Sequence, residues 1–173
     1  PEIFDSCLTL CALAFSRIIN RSFIANSMLK ISDSVAFWGP KAWAAYPNFA
    51  PHYQGYVSGI QSLAKAYQSL RINVHSTGTN IHPRIVDAMS VGVPNAIVRN
   101  DADNGPFGIT NFLEPDVDYI DVDCDNFVDK LSDVLKRPKY LEEMANRARE
   151  KALREFTWEK ICTQIRNDIE EKI

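Results

Sequence analysis

The chain has 173 residues, 46% of them hydrophobic and 24% charged, which is long enough to bury a core without disulfides or metal and fits a single domain. Nineteen Lys and Arg against 22 Asp and Glu leave a formal net charge of -3, and no segment concentrates positive charge, so the footprint of a nucleic-acid binder is absent. Seven glycines and nine prolines exclude collagen-like and low-complexity chains.

The chain opens on a helical pattern spanning about residues 5–31, in which Cys7 and Cys11 stand four apart on apolar spacing. Its longest apolar run, residues 7–15, is far short of a membrane span and is broken by Ser16 and Arg17. It has neither a basic flank nor a small-residue cleavage site, so neither a signal peptide nor a transmembrane segment is expected. Cys124 and Cys162 stand alone, and the four cysteines form neither a disulfide framework nor a metal spacing. A reduced, cytoplasmic chain is expected, either free or peripheral to a membrane. The first residue is Pro, as in a processed or partial chain.

Strand-like runs then recur at residues 34–38, 55–57, 72–75, 95–98 and 119–122, with helical patterns between several of them. Ser58 with Gln61 reads as a capping box, opening a helix whose apolar face is Ile60, Leu63, Ala64 and Tyr67. Pro83 suits a helix first turn and Gly92 its C-terminal cap, bracketing Ile85, Val86, Ala88 and Met89. Three helices close the chain over about residues 126–170. Phe127, Val128, Leu131 and Leu135 line the first, Leu141, Met144, Ala145, Ala148 and Ala152 the second. Thr157 caps the third, with Trp158, Ile161, Cys162 and Ile165 expected inward. The alternation predicts an α/β fold: a Rossmann-like open parallel sheet with helices on both faces and a helical C-terminal layer. No repeat or long linker divides the chain, so residues 1–173 read as one domain.

The polar segment from Ser76 through Arg84 lies between a predicted strand and a predicted helix, the carboxyl edge of a strand where open α/β sheets hold ligands. Gly78, Thr79 and Asn80 allow close backbone approach, the helix start adds positive potential, and Arg84 offers a bidentate fork. The segment reads equally as a phosphate cradle or as a capped polar turn. No dinucleotide-binding or Walker motif is present. Asp87 could accept hydrogen bonds from a ribose, although on spacing alone a surface pair with Arg84 is favoured. Asp101 and Asp103, beside Asn104-Gly105-Pro106, read as a solvated turn. Asp121, Asp123 and Asp125 alternate as in a calcium loop, but Asn126 and Ser132 stand where such a loop needs Gly and Glu, so a helix cap is expected instead. His75 reads as a satisfied polar residue at a strand end, and His82 as the better candidate because it stands at a helix start. Trp38, Trp43 and Tyr46 read as aromatic packing beneath a loop.

Taken in order, residues 35–40, Trp43, residues 53–57, 63–67 and 72–75 resemble successive landmarks of the carboxy-terminal, donor-binding domain of GT-B glycosyltransferases, nearest to the family-1-like group that includes the CgeB proteins. The most specific piece is the stretch from His82-Pro83-Arg84 through Asp87-Ala88 to Gly92, and the course continues through Phe112 to Pro115, Tyr119 and Thr157-Trp158. The resemblance covers roughly residues 34–165. It implies one half of a GT-B fold that binds a nucleotide-sugar donor without a metal or other cofactor and faces an N-terminal acceptor-binding domain absent from this chain. By the same resemblance Gly78, Thr79, Asn80, His82 and Arg84 lie by the donor diphosphate and Asp87 takes the place of the ribose-binding acid. No catalytic residue is assigned, because that family draws its acceptor-activating base from the other domain, and this chain alone is expected to be inactive. Asp87 stands where the family has Glu, and Thr79 stands at the first position of its Glu-x7-Glu pattern. A non-catalytic interaction module and half of a nucleotide-sugar epimerase are the alternatives, the first supported by Thr79.

Overall fold

The computed structural model describes the backbone of residues 2–76, 81–106 and 108–171, and the side chains of these residues other than 2–13, 101 and 102. The chain divides into two compact units, Pro1–Tyr56 and Val57–Ile173, where the sequence reads as one domain. Its strands likewise form two parallel sheets, one in each unit, in place of the single sheet expected.

The first unit opens with a long helix, α1 (Glu2–Ile31), close to the expected span. Ala25 and Ser27 are buried on it, while Phe15, Ile18 and Ile19 are exposed. Strands β1 (Phe37–Trp38) and β2 (Tyr53–Gly55) then pair in parallel, Phe37 opposite Tyr53 and Trp38 opposite Gly55. The second strand ends at Gly55, two residues earlier than the sequence suggests. Gly55 turns the backbone to φ 94°, a conformation closed to most other residues, and its carbonyl accepts the Gly39 N–H. Between the strands the aromatic residues pack as expected. Phe37 stacks on Trp43 at 5.1 Å, and buried Phe49, which the sequence did not single out, meets the rings of Phe37, Trp43 and Tyr46.

The second unit is built on the parallel sheet β3 (Asn73–Ser76), β4 (Asn95–Val98), β5 (Ile120–Val122), in that order. Parallel neighbours need a crossover. Helix α3 (Pro83–Ser90) supplies the first, and an irregular segment containing two short 3-10 turns, Asp101–Asn104 and Ile109–Asn111, lies in the second. Central strand β4 is buried along its whole length, which is why it reads as an unbroken apolar run apart from Asn95. Asn95 is fully buried and satisfied: its Oδ1 accepts from Asn73 Nδ2 at 2.6 Å and its Nδ2 donates to the Ile85 carbonyl at 3.2 Å. One side chain thereby ties β3, β4 and α3 together.

Helix α2 (Ile60–Gln68) precedes the sheet. Gly59, at φ 83°, is its N-cap and no side chain caps it, so the expected Ser58 box is not formed: Ser58 lies one residue too early. Ile60 is exposed, and Tyr67 is the buried residue of this helix. Helix α3 ends as expected, with Gly92 at φ 78° just beyond it.

Helices α4 (Phe127–Val134), α5 (Pro138–Glu155) and α6 (Trp158–Glu170) complete the chain. The second buries the face that its periodicity announces, while the first buries Phe127 and Leu131 with Val134, leaving the expected Val128 and Leu135 half-buried. The third differs. Thr157 does cap it, accepting the Lys160 N–H, but Trp158, Ile161, Cys162 and Ile165 are exposed rather than inward, because α6 buries none of its residues. The segment before β5 is pinned by charge. Lys151 meets buried Asp118 at 2.7 Å, and Lys130 bridges the Asp116 carboxylate and the Asp121 carbonyl. Asp116 has φ 60°, a strained value for a residue with a Cβ, and its carbonyl accepts from the Tyr140 hydroxyl.

Asn95→Leu keeps the branching and the number of heavy atoms of the side chain and removes both hydrogen bonds, leaving the Asn73 amide without its buried acceptor. Urea unfolding should show a loss of about 1 to 3 kcal/mol, with the native far-ultraviolet signature retained by the folded fraction.

Candidate functional site

Helix α3 is held by burial. Ile85 and Met89 are fully buried in a cluster with Ile97, Ile109, Leu113, Tyr119, Ala148 and Ala152, and Ala88 is fully buried in a second cluster with Tyr67 and Val93. With its body locked on two sides, the N-terminal turn is left facing solvent: His82, Pro83 and Arg84 are exposed. Pro83 occupies the first turn, where its missing N–H costs nothing. His82 is the N-cap in an extended conformation, and its Nδ1 accepts the Arg84 N–H at 3.2 Å.

Asp87 follows one turn after Arg84 and is half-buried. Among the ion pairs of the described residues there is none between Arg84 and Asp87, so the surface pair favoured on spacing is not formed. Burial pushes the Asp87 carboxyl above its usual value, opposed by the nearby charges of Arg84 and His82. Buried Tyr67 lies close enough to feel the same carboxylate: its hydroxyl is raised first by burial and then by Asp87. A carboxylate kept partly out of water, with a cation close by and no ion pair to it, is an acceptor available to an incoming hydroxyl.

His75, on β3 opposite Ile97, brings a further group to this end of the sheet. Its ring centroid lies 4.6 Å from that of His82. The sequence reading set His75 aside as an ordinary strand-end residue and missed the Tyr67 hydroxyl altogether, since α2 and β3 meet α3 only in the folded chain. Of the other candidates, Gly78, Thr79 and Asn80 lie outside the described residues. The two ends of their loop are fixed: Ser76 closes β3 in register with Val98, and Ile81 packs on the main core cluster.

The acidic clusters have structural employment. Asp121 is buried on β5 and receives the Arg99 guanidinium through both Nε and Nη2. Asp123 accepts the N–H groups of Asp125 and Asn126 ahead of α4, while Asn126 Oδ1 accepts the Asp123 N–H in return. The N-cap residue is Asn126, the neighbour of Asp125, but no side chain caps the helix: these bonds close the turn ahead of it. Asp103 is buried rather than solvated and accepts from both the backbone and the side chain of Asn100, because the turn folds inward onto its own amides. Among the described residues no group of three or more His, Cys, Asp or Glu is placed to hold a metal ion, and no helix is long and apolar enough to cross a membrane.

A crystal structure of TarM matches with a TM-score of 0.62 at 16% identity, over 86% of this chain and 32% of that one, so the likeness is one of fold and the chain spans about a third of that protein's length. No curated protein matches. The model of the family described as glycosyl transferase-like matches residues 21–167, running through both compact units and through the His82 to Asp87 turn, and the chain therefore belongs to the glycosyl transferase-like family.

Proposed function

We propose that this chain is the donor-binding half of a GT-B glycosyltransferase of the CgeB-like group, holding a nucleoside-diphosphate sugar for transfer to an acceptor carried by an N-terminal domain outside it, in the cytoplasm. The observation that carries the reading is the N-terminal turn of α3. An exposed Arg84, a His82 cap and a half-buried Asp87 that forms no ion pair with Arg84 occur together on a helix whose core residues cannot move.

In this reading the diphosphate lies against the start of α3. Pro83 has no N–H and those of Arg84 and Ile85 are taken by the His82 ring and carbonyl, so what this terminus offers the anion is the positive end of the helix dipole. Arg84 adds a full charge with two parallel donors, and Gly78, Thr79 and Asn80 are assigned to the diphosphate by the family resemblance alone. Asp87 accepts from the ribose hydroxyls. As the bond between the anomeric carbon and the diphosphate oxygen breaks, charge gathers on the departing diphosphate, and Arg84 with the helix terminus stabilises it without a metal ion. The base that activates the acceptor belongs to the other domain.

Calorimetry of this chain against a panel of nucleoside diphosphates tests the reading. Binding of at least one without sugar transfer to any acceptor is the expected result. Absence of binding across the panel favours the interaction-module alternative, to which Thr79 already points, and turnover by this chain alone refutes the division of labour.

Arg84→Lys should weaken a nucleoside diphosphate much more than the bare nucleoside, and the loss should shrink as salt is raised, because a point charge cannot reproduce the guanidinium fork and the turn is open to solvent. Paired titrations of both ligands against wild type and variant read the difference; an equal loss for the two would assign Arg84 to the fold.

Asp87 allows a separation of binding from stability. Its carboxyl is raised in the folded chain, so its contribution to stability is present below the unfolded value of 3.8 and is lost as pH rises through the folded one. At neutral pH the ionised group is a burden on the fold. Asp87→Asn should therefore leave thermal stability at neutral pH unchanged or higher and flatten its decline above the carboxylate range, while nucleotide affinity falls by about 1 to 3 kcal/mol. Thermal melts across pH and calorimetry on the same variant check both halves.

A further inference from the structure

We propose that the first compact unit carries a binding site for a neutral saccharide, in a cleft between α1 and the aromatic turn that follows β1; the site stands independently of the donor-binding reading of α3. The cleft has a volume of about 350 Å³ and is lined by Ser22 and Asn26 from the helix and by Tyr46, Pro47, Asn48 and Phe49 from the turn. Small-molecule sites span about 300 to 1,000 Å³, and the lower end of that range suits one or two sugar rings. The turn supplies an apolar plate. Phe49 is buried against the rings of Phe37 and Trp43, and the Tyr46 ring leans on it at 5.7 Å between centroids with a 48° tilt. The Tyr46 carbonyl accepts the N–H groups of both Phe49 and Ala50 at 2.9 Å, which fixes its backbone. Tyr46 nevertheless keeps 54% of its surface exposed. An exposed ring backed by a buried one lets the C–H face of a pyranose settle on it with little ordering cost.

The helix side supplies polar groups. Ser22 and Asn26 stand four apart on one face of α1. Asn26 Nδ2 donates to the Ser22 carbonyl at 2.8 Å, which orients the amide. Among the described residues the Ser22 hydroxyl, Asn26 Oδ1 and the Asn48 amide have no hydrogen-bond partner, so all three are available to a ligand. No carboxylate, ammonium or guanidinium lines the cleft, and an ionic ligand would lose hydration there without meeting an opposite charge. A nucleobase also stacks on an aromatic ring, but its edge demands a fixed pattern of donors and acceptors in the plane of the base. Hydroxyl and amide side chains both donate and accept, and their natural complement is a group that does the same. A sugar combines the two halves of the cleft, with C–H bonds for the Tyr46 ring and a rim of hydroxyls for Ser22, Asn26 and Asn48.

The test titrates the 173-residue chain, labelled with nitrogen-15, with methyl β-glucoside, N-acetylglucosamine, cellobiose and maltose, and in parallel with glucosamine, glucuronate and uridine. At least one neutral sugar should shift the side-chain amide signals of Asn26 and Asn48 in a saturable way, and the two charged sugars should bind about tenfold more weakly or not at all. Tyr46→Ala should weaken the bound sugar about tenfold or more, whereas Tyr46→Trp keeps the plate and should match or exceed wild type. Asn48→Ala should cost about threefold to tenfold, the loss of roughly one hydrogen bond. Absence of binding by all four neutral sugars overturns the proposal, and so do shifts that bypass Asn26 and Asn48. Equal binding of charged and neutral sugars, or a preference for uridine over every sugar, overturns the assignment of ligand class. Affinity unchanged in Tyr46→Ala, or lost equally in folded Tyr46→Trp, overturns the role of the ring. None of these outcomes bears on nucleotide binding at the start of α3, so the two readings fail separately.

Discussion

Everything at the candidate site depends on the burial of α3 from two sides. Ile85 and Met89 enter one cluster and Ala88 another, and none of the three retains exposed surface. An eight-residue helix is marginal on its own. Packed in this way it becomes a fixed mount, and the terminal turn projecting from it inherits that rigidity. His82, Arg84 and Asp87 are carried by a helix whose core-facing residues are fully buried.

Asn95 extends the same constraint to the sheet. A polar side chain in the middle of the most buried strand would be costly if its amide were unpaired, but it satisfies Asn73 on one side and the Ile85 carbonyl on the other. The carboxyl edge of β3 and the start of α3 are therefore referenced to one another through a buried hydrogen-bonded link as well as through apolar contact. The charged pairs further along, Arg99 with Asp121 and Lys151 with Asp118, perform a comparable service for β5 and the segment before it. They account for acids that the sequence presents as metal-like clusters.

The polar groups at the α3 terminus are arranged by contrast of environment. Arg84 stands in solvent, where its charge is cheap to keep, whereas Asp87, one turn on, is drawn partly out of water beside Tyr67. An exposed cation and a partly desolvated acceptor on the same face suit a ligand that is itself divided, anionic at one end and hydroxylated at the other.

The sequence alone determined the elements whose signals are local. Pro83 and Gly92 bracket α3, Thr157 caps α6, and strand β4 has the predicted bounds, because a missing N–H, a glycine at positive φ and an unbroken apolar run act within a few residues. The start of α3 was likewise legible as a capped turn, with His82 the N-cap and Pro83 in the first turn. Only the tertiary structure decided the rest. Periodicity marks Trp158, Ile161 and Ile165 as one face of a helix but says nothing of whether another element covers it, and among the described residues none does. Spacing allowed Arg84 and Asp87 to pair, but in the fold Asp87 is half-buried and makes no ion pair with Arg84. The meeting of His75 with His82 joins a strand to a helix cap across a loop, and the division of the strands into two sheets depends on which edges find partners. Such facts belong to contacts between segments distant along the chain, which no local pattern encodes.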